Sequence, residues 1–447
     1  MPNMLKKLDV VNVWIDDHAD ELIDTLTQLV RIPSVVGHEQ SAQAFVRERY
    51  LDACLDVDEF EPQRELLHEH PAFVDSGFPF AGRANVVGAL HGTGGGRSLI
   101  LNGHTDVVSP EPLSAWSYDP WGAKIVTTSS GRLMFGRGTL DMKSGLIANL
   151  FALRAIAECG IRLRGDLILQ SVIEEEAGGG GGTLACFERG YLADGFIATE
   201  PHWRDICVAH PGVLYFRVVV EGKSAHAGRA HLGHNAAVEM APIVSMFGEW
   251  DQERALEKHF DLFERPDPQA KRSCHLNVGV VRAGDWPSTV PGRAECEVRM
   301  SFIPGETEAR VKAEIAARVN AVARKSAWLK DHPPKIEYFG WHTEPWLQDE
   351  RHAFVQTFAS VFNTENAGLI EKEKRFGAAF VSRWGETPKI MGNTSAMDTR
   401  FAALYGTPSL AWGPKGANMH GANESVELDS VIETSRVLAK FAMIWCG

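Results

Sequence analysis

The run Ser98-Leu99-Ile100-Leu101-Asn102-Gly103-His104-Thr105-Asp106 decides how the chain is read. Its apolar part follows the Gly94-Gly95-Gly96 turn, so it reads as a buried strand that delivers His104 at its carboxyl end. Open α/β sheets place ligands at that end. A His two residues ahead of an Asp there suits a metal-binding imidazole whose second nitrogen is held by the carboxylate, which fixes the tautomer. A loop histidine with an ordinary hydrogen bond fits the same residues. The companion stretch Gly136-Arg137-Gly138-Thr139-Leu140-Asp141-Met142-Lys143 places Asp141 ahead of a helix from Met142 to Cys159, which Gly160 closes.

The same grammar recurs downstream. Leu167 to Ile173 is a continuous apolar strand of the buried, parallel type, and it runs into Glu174-Glu175-Glu176-Ala177-Gly178-Gly179. Three adjacent carboxylates at the end of a buried strand repel one another, and a cation would relieve that repulsion; a solvated acidic loop is the other reading. Gly195 to Pro201 is again an apolar strand ending in a carboxylate, Glu200. Upstream, Val11 to Val30 has helical spacing and stops before Pro33. Glu39 to Leu55 is a second helix, Pro62 to Phe80 an irregular excursion, and Asn85 to Leu90 a strand. The glycines from Gly92 to Gly96 lack the Gly-Lys-Ser/Thr ending of a phosphate loop, which argues against a nucleotide site of that kind.

From Val213 the texture changes. Leu214 to Gly222 alternates like a half-exposed strand, Asn235 to Trp250 reads as a helix, Leu276 to Val281 and Ala294 to Phe302 as strands, and Glu306 to Lys325 as another helix. This pattern describes a small α+β domain inserted into a larger α/β one, with boundaries near Gly212 and Pro333. The division is therefore residues 1–212, an insertion over 213–333, and a return to the first domain over 334–447. In that last part Phe354 to Phe362 and Val431 to Trp445 read as helices and Pro408 to Trp412 as a buried strand.

Composition narrows the function. A net charge of -13 and the lack of a basic patch with interleaved aromatics argue against nucleic acid. The seven cysteines are scattered and never form a Cys-x-x-Cys pair, which fits reduced thiols in the cytoplasm. No long apolar run points to a signal peptide, a spanning helix or a membrane partner.

Taken in order, the chain carries Gly-His-Thr-Asp (103–106), Gly-Arg-Gly-Thr-Leu-Asp-Met-Lys (136–143), Glu-Glu-Ala-Gly-Gly (175–179), Glu-Pro (200–201), Gly-Lys-Ser-Ala-His-Ala (222–227) and His-Gly-Ala-Asn-Glu (420–424). This series resembles the M20 family of two-zinc amidohydrolases and metallopeptidases, which includes acetylornithine deacetylase, succinyl-diaminopimelate desuccinylase, aminoacylase and glutamate carboxypeptidase. The resemblance implies an α/β catalytic domain with a mixed sheet and helices on both faces, and an inserted ferredoxin-like domain through which the chain forms a homodimer. It implies that His104 and Glu200 bind one zinc, Glu176 and His420 the other, and that Asp141 bridges them; cobalt or manganese would suit the same donors. Asp106 would support His104, and the Asp141-Met142 peptide would be cis. Glu175 would be the general base that takes a proton from water and passes it to the departing nitrogen. His226, from the partner subunit, would stabilise the oxyanion.

Substrate recognition follows from the same resemblance in less detail. Asn277 and Arg299 match positions that contact a substrate carboxylate, a task a guanidinium fork suits, although Arg299 also fits an ordinary strand-face salt bridge. Asp398 and Arg400 resemble the family's Ser/Thr-Asp-x-Arg run, here in a longer form, and Trp286-Pro287-Ser288-Thr289 stands where an Asn often precedes Val-Pro. Trp116, Trp121, Trp341, Trp346 and Trp384 suit either an aromatic acyl pocket or core packing. The implied activity is hydrolysis of the amide bond of an N-acyl amino acid or related small N-acyl compound. A dipeptidase or carboxypeptidase is the alternative within the class, and a non-catalytic binding protein the alternative outside it.

Overall fold

In the computed structural model of the protein, which describes residues 2–129, 131–202, 205–266, 268–362 and 389–447, the run Leu99–His104 lies at the centre of a mixed sheet. The chain divides into two units. The first comprises Met1–Val208, Gln348–Ile390 and Met397–Gly447; the second comprises Ala209–Leu347 and Met391–Ala396.

In the first unit the strand order is Asp56–Phe60, Asn85–Leu90, Leu167–Val172, Leu99–His104, Phe196–Ala198, Ser409–Ala411 and Ile206–His210. The four strands from Leu167–Val172 to Ser409–Ala411 run parallel, and the flanking pairs are antiparallel. Leu99, Ile100, Leu101, Leu167 and Leu169 are fully buried, as continuous apolar strands inside a parallel sheet must be. Helix Ser144–Glu158 is buried on nearly every side because Leu428–Trp445 and Ala19–Val30 pack on it as well as the sheet. Its start comes so close to the strand end bearing Glu200 that a Cβ on Gly145 would lie 2.2 Å from the carbonyl oxygen of Thr199.

A second, smaller sheet of this unit joins Lys124–Thr128, Gly131–Phe135, Ser425–Glu427 and Gly416–Ala417 in antiparallel order. Its strands are short and partly exposed, and the sequence carries no clear alternation to announce them. The expected helix over Val11 to Val30 is two helices, Pro2–Asp17 and Ala19–Val30. They break at His18, which has φ −105°; its Nδ1 donates to the Trp14 carbonyl at 2.7 Å and its ring stacks on Trp14.

The second unit is an antiparallel sheet in the order Leu276–Ala283, Arg293–Phe302, Gly212–Glu221 and Lys335–Thr343. Helices Ala236–Glu257 and Glu308–Ala323 join it in one core built on Phe216, Phe247, Trp250, Phe302 and Ile315. Asn235 caps the first of these helices by accepting from the Ala237 N–H at 2.9 Å. Lys335–Thr343 lies beyond the boundary expected near Pro333. Pro333-Pro334 reads as a linker, yet the strand that follows pairs with Gly212–Glu221, with a register shift between Tyr338 and His342 that interrupts its alternation. All seven cysteines are free, and no described helix is long and apolar enough to cross a membrane. Trp346 is buried, whereas Trp384 lies outside the described residues.

The close approach at Gly145 sets a test. Gly145→Ala should lower the unfolding free energy by about 1–3 kcal/mol in urea denaturation, because the sheet backbone cannot retreat. Gly248→Ala, in a helix with open space around the added methyl, should instead stabilise by about 0.5–1 kcal/mol.

Candidate metal centre

His104 ends its strand with the side chain 1% exposed. Its Nδ1 donates to the backbone carbonyl of Asp106 at 2.8 Å, which leaves Nε2 unprotonated in the neutral ring. Nε2 is buried without a hydrogen-bond partner, and around it lie Asp141 Oδ1 at 3.2 Å, Glu200 Oε1 at 3.5 Å and Glu175 Oε2 at 3.9 Å. Glu200 follows Phe196–Ala198, and the Thr199 N–H donates to Asn102 O at 3.0 Å, so the sheet carries both side chains to the same edge.

The other half of the site comes from turns. Glu175–Ala177 is a short helical turn after Leu167–Val172, and His420 lies between Gly416–Ala417 and Ser425–Glu427 with φ +61°. His420 Nε2 is 3.1 Å from both Glu176 Oε1 and Asp141 Oδ2. Two groups with metal-ligand spacing therefore exist among the described residues: His104, Asp141 and Glu200, and Asp141, Glu176 and His420. Asp141 is common to both, and the Asp141-Met142 peptide is cis.

The electrostatics favour a cation among these groups. Burial pushes the Glu175 and Glu200 carboxyls well above the usual range, and burial with the neighbouring Asp141 pushes Glu176 up to about 7. Hydrogen bonds to Asp141 and Glu176 raise His420 to about 11. For His104, burial opposes the proton, but Asp106, Asp141 and Glu200 outweigh it and raise the imidazole. Asp141 is disfavoured as an anion by burial, yet His104 and His420 hold it below its ordinary value. Four buried carboxylates against two imidazoles, with an orphaned imidazole nitrogen between three of them, are the donors a divalent ion takes.

Two residues, Glu174 and Arg400, sit differently from expectation. The three consecutive carboxylates do not share one cation, because Glu174 turns away and accepts from Arg83 Nη1 at 2.7 Å and Ser76 Oγ at 2.6 Å, while Arg83 also forks onto Glu39. Asp106 stands by His104 with both groups, its carbonyl accepting from Nδ1 at 2.8 Å and its Oδ1 3.5 Å from Nδ1, and its carboxylate also accepts the N–H groups of Glu175 at 3.2 Å and Glu176 at 3.0 Å. Arg400 is buried, with Nη2 on Gly178 O at 2.5 Å and Nη1 on Met397 O at 3.0 Å, so it ties down the turn after Ala177. His226, Asn277 and Arg299 belong to the second unit. His226 Nδ1 accepts the Gly228 N–H at 3.0 Å, and Arg299 stands between Asn277 and Tyr215 in register. The other arginines of that sheet, Arg217, Arg282 and Arg293, pair with Glu297 or Glu295, whereas Arg299 forms no ion pair among the described residues. Sequence reasoning passed over Arg83, remote in the chain from the turn it supports, and gave no role to Arg137 and Glu424, although both stand in the motifs that carry Asp141 and His420.

Comparison with known proteins finds relatives along most of the chain. A family model described as peptidase family M20/M25/M40 matches residues 100–444. The N-formyl-4-amino-5-aminomethyl-2-methylpyrimidine deformylase of Bacillus subtilis (strain 168) is 30% identical over 394 residues, covering 85% of this chain and 87% of that protein. The protein of the same name from Halalkalibacterium halodurans is 28% identical, covering 81% and 83%. Among solved structures, an M20 family metallo-carboxypeptidase from Sulfolobus solfataricus superposes with a TM-score of 0.71 at 18% identity, over 95% of this chain and 99% of that one, which is a likeness of fold.

Because the imidazoles hold protons when no cation is bound, metal uptake must displace them, and affinity should rise with pH. Calorimetric titration of the metal-free protein with Zn2+ at pH 7 in two buffers should give heats that differ with buffer ionisation heat in the sense of net proton release. Asp141→Asn should strip metal from both groups and His420→Ala from one, as read by metal content after dialysis.

Proposed function

The chain belongs to peptidase family M20/M25/M40, and from that premise we propose that it is a two-ion amidohydrolase that cleaves the amide bond of a small N-acyl compound, releasing a carboxylic acid and an amine. The observation that carries this reading is the pair of triads joined through Asp141, one buried and one opening to solvent at His420, with a further buried carboxylate, Glu175, beside them. His104 and Glu200 would hold one ion, Glu176 and His420 the other, and Asp141 both; zinc suits this nitrogen and oxygen set, as cobalt or manganese would. When bound, such ions polarise an amide carbonyl and acidify water.

The chain's own residues do the rest. Glu175 is not needed as a ligand, so its carboxylate accepts a proton from water as the water oxygen adds to the carbonyl carbon. It then delivers that proton to the nitrogen as the C–N bond breaks. Burial and the surrounding carboxylates hold Glu175 well above the usual carboxyl range, which makes it able to return a proton as well as take one. His226 is the proposed oxyanion donor, acting across a homodimer formed through the second unit; with Nδ1 accepting from Gly228, its ring proton sits on Nε2. Asp106 and Arg400 act by holding the turn that carries Glu175 and Glu176.

The formyl group is the first acyl group to test, because the deformylases similar to this chain match it over more than four-fifths of its length. An N-acyl amino acid, dipeptide or peptide C-terminus is the second reading, and Arg299 beside Asn277 favours it: a guanidinium without a carboxylate partner suits a substrate carboxylate.

Two measurements follow. Glu175→Gln should keep its metal content and lose activity by about 10²–10⁴-fold in kcat; unchanged turnover would remove Glu175 from the base role. Offered N-formyl amines, N-acetyl, N-succinyl and N-aroyl amino acids and dipeptides, with free amine detected, the metal-loaded protein should prefer the N-formyl compounds. Preference for dipeptides would transfer the assignment to the second reading.

A further inference from the structure

The motif around Asp141 contains an arginine, and the motif around His420 a glutamate, that belong to neither triad. Arg137 is 2% exposed and Glu424 fully buried. Arg137 Nη1 donates to Glu424 Oε2 at 2.5 Å, and Nη2 donates to the carbonyl of His420 at 3.1 Å. Glu424 Oε1 accepts the backbone N–H of Leu140 at 2.8 Å and of Asp141 at 3.1 Å, and Oε2 accepts that of Gly138 at 3.1 Å. One buried ion pair thus grips the peptide N–H of the shared carboxylate residue and the peptide carbonyl of the second imidazole residue.

The two loops also leave neighbouring strands. Ser425 stands opposite Phe135 in the small antiparallel sheet, and the Gly136 N–H donates to the Glu424 carbonyl at 3.0 Å. Beyond that point the backbone is unsupported by the ladder. Asn418, His420 and Asn423 all have φ near +60°, a left-handed conformation that asparagine tolerates and that at a histidine persists where neighbours hold it. At His420 the neighbour is the guanidinium of Arg137.

We propose that Arg137 and Glu424 are positioning residues that set the placement of His420 against Asp141, and thereby the affinity of the site formed by Asp141, Glu176 and His420, while leaving the His104, Asp141 and Glu200 site nearly untouched. This rests on the two-ion reading above. The asymmetry is what separates it from a merely structural role: the ion pair bonds to the segments of Asp141 and His420, and to no atom of His104, Glu176 or Glu200.

The test uses the full chain and Co2+ as the probe, followed by d–d absorption as well as calorimetry. Arg137→Lys keeps a cation opposite Glu424 but cannot also reach the His420 carbonyl. It should melt within a few degrees of the parent when metal-free, bind one equivalent as the parent does, and bind the other about 10–100-fold more weakly, the usual cost of losing a group that orients a ligand. The spectrum of its single-ion form should match that of His420→Ala, and Arg137→Lys placed on His420→Ala should change nothing further. Should Arg137→Lys not fold, the double variant Arg137→Met with Glu424→Gln, which leaves no buried charge unpaired and keeps an amide oxygen for the Leu140 and Asp141 N–H groups, should show the same selective loss. As a control for burial alone, Arg254→Lys, at a buried arginine paired with Glu306 in the second unit, should move neither site. Equal weakening of both equivalents, or parent affinities for both in a folded variant, would overturn the proposal. A parent chain that binds fewer than two equivalents would overturn the two-ion reading and this inference with it.

Discussion

The constraint on which this molecule depends is electrostatic. Asp141, Glu175, Glu176 and Glu200 bring their carboxylates together largely shielded from water, and the candidate ligand atoms within each triad lie within 4.8 Å of one another. Two like unit charges about 4 Å apart repel by about 4 kcal/mol at the effective dielectric of a protein. Several such pairs cannot coexist in a stable chain unless protons or cations compensate them. The two imidazoles compensate only in part, and as ligands they must give up their protons. What the rest of the first unit has to do is stop these oxygens from moving apart or reaching solvent.

It does so by two different means. The His104 and Glu200 side chains leave adjacent parallel strands whose pairing continues to the residue before Glu200, so the backbone ladder itself holds them. Glu176 and His420 sit on turns, where no ladder is available, and charged side chains take its place. Asp106 accepts two successive N–H groups of the Glu175–Ala177 turn, Arg83 anchors Glu174 at the turn's start, and Arg400 anchors the Gly178 carbonyl at its end. Arg83 and Arg400 lie far from this turn in the chain, and both are buried. A buried arginine whose donors are all directed at fixed acceptors is stiffer than a solvated one, which is why turns held in this way can serve as ligand supports.

The same division explains what could be read before the fold was known. Leu99–His104 and Leu167–Val172 are buried on both faces, so their apolar runs are unbroken and their ends point to His104 and to the glutamates. The change of texture after Val213 was legible because Leu214 to Val218 and Arg293–Phe302 alternate buried with more exposed residues over most of their length. The hairpin Lys124–Phe135 and the edge strand Lys335–Thr343 were not, since both are short of buried residues and the second carries a register shift. Nor could adjacency in sequence separate Glu174 from Glu175 and Glu176. All three look alike until the left-handed φ of +64° at Glu174 swings its side chain toward Arg83, 91 positions away. Contacts between side chains from distant segments leave no periodic trace.

Asp141 is where the two kinds of support meet. It is reached from the ladder side by His104 and from the turn side by His420, yet it lies on neither a strand nor a regular helix: its φ and ψ are −112° and 99° in an irregular stretch between Gly138 and Ser144. A residue so placed needs its peptide held from outside, and Glu424 does that by accepting three consecutive-loop N–H groups while Arg137 neutralises it. Burial pushes the Glu424 carboxyl above its usual range, and the Arg137 guanidinium and the backbone N–H groups work against that shift. A charge-assisted acceptor is the stronger one for those N–H groups. An apolar pair of the same volume could match this ion pair in stability, but it could not direct three peptide donors at once. The charge buried at Arg137 and Glu424 is therefore best understood as holding the His420 loop in place against Asp141 rather than as added stability for the fold.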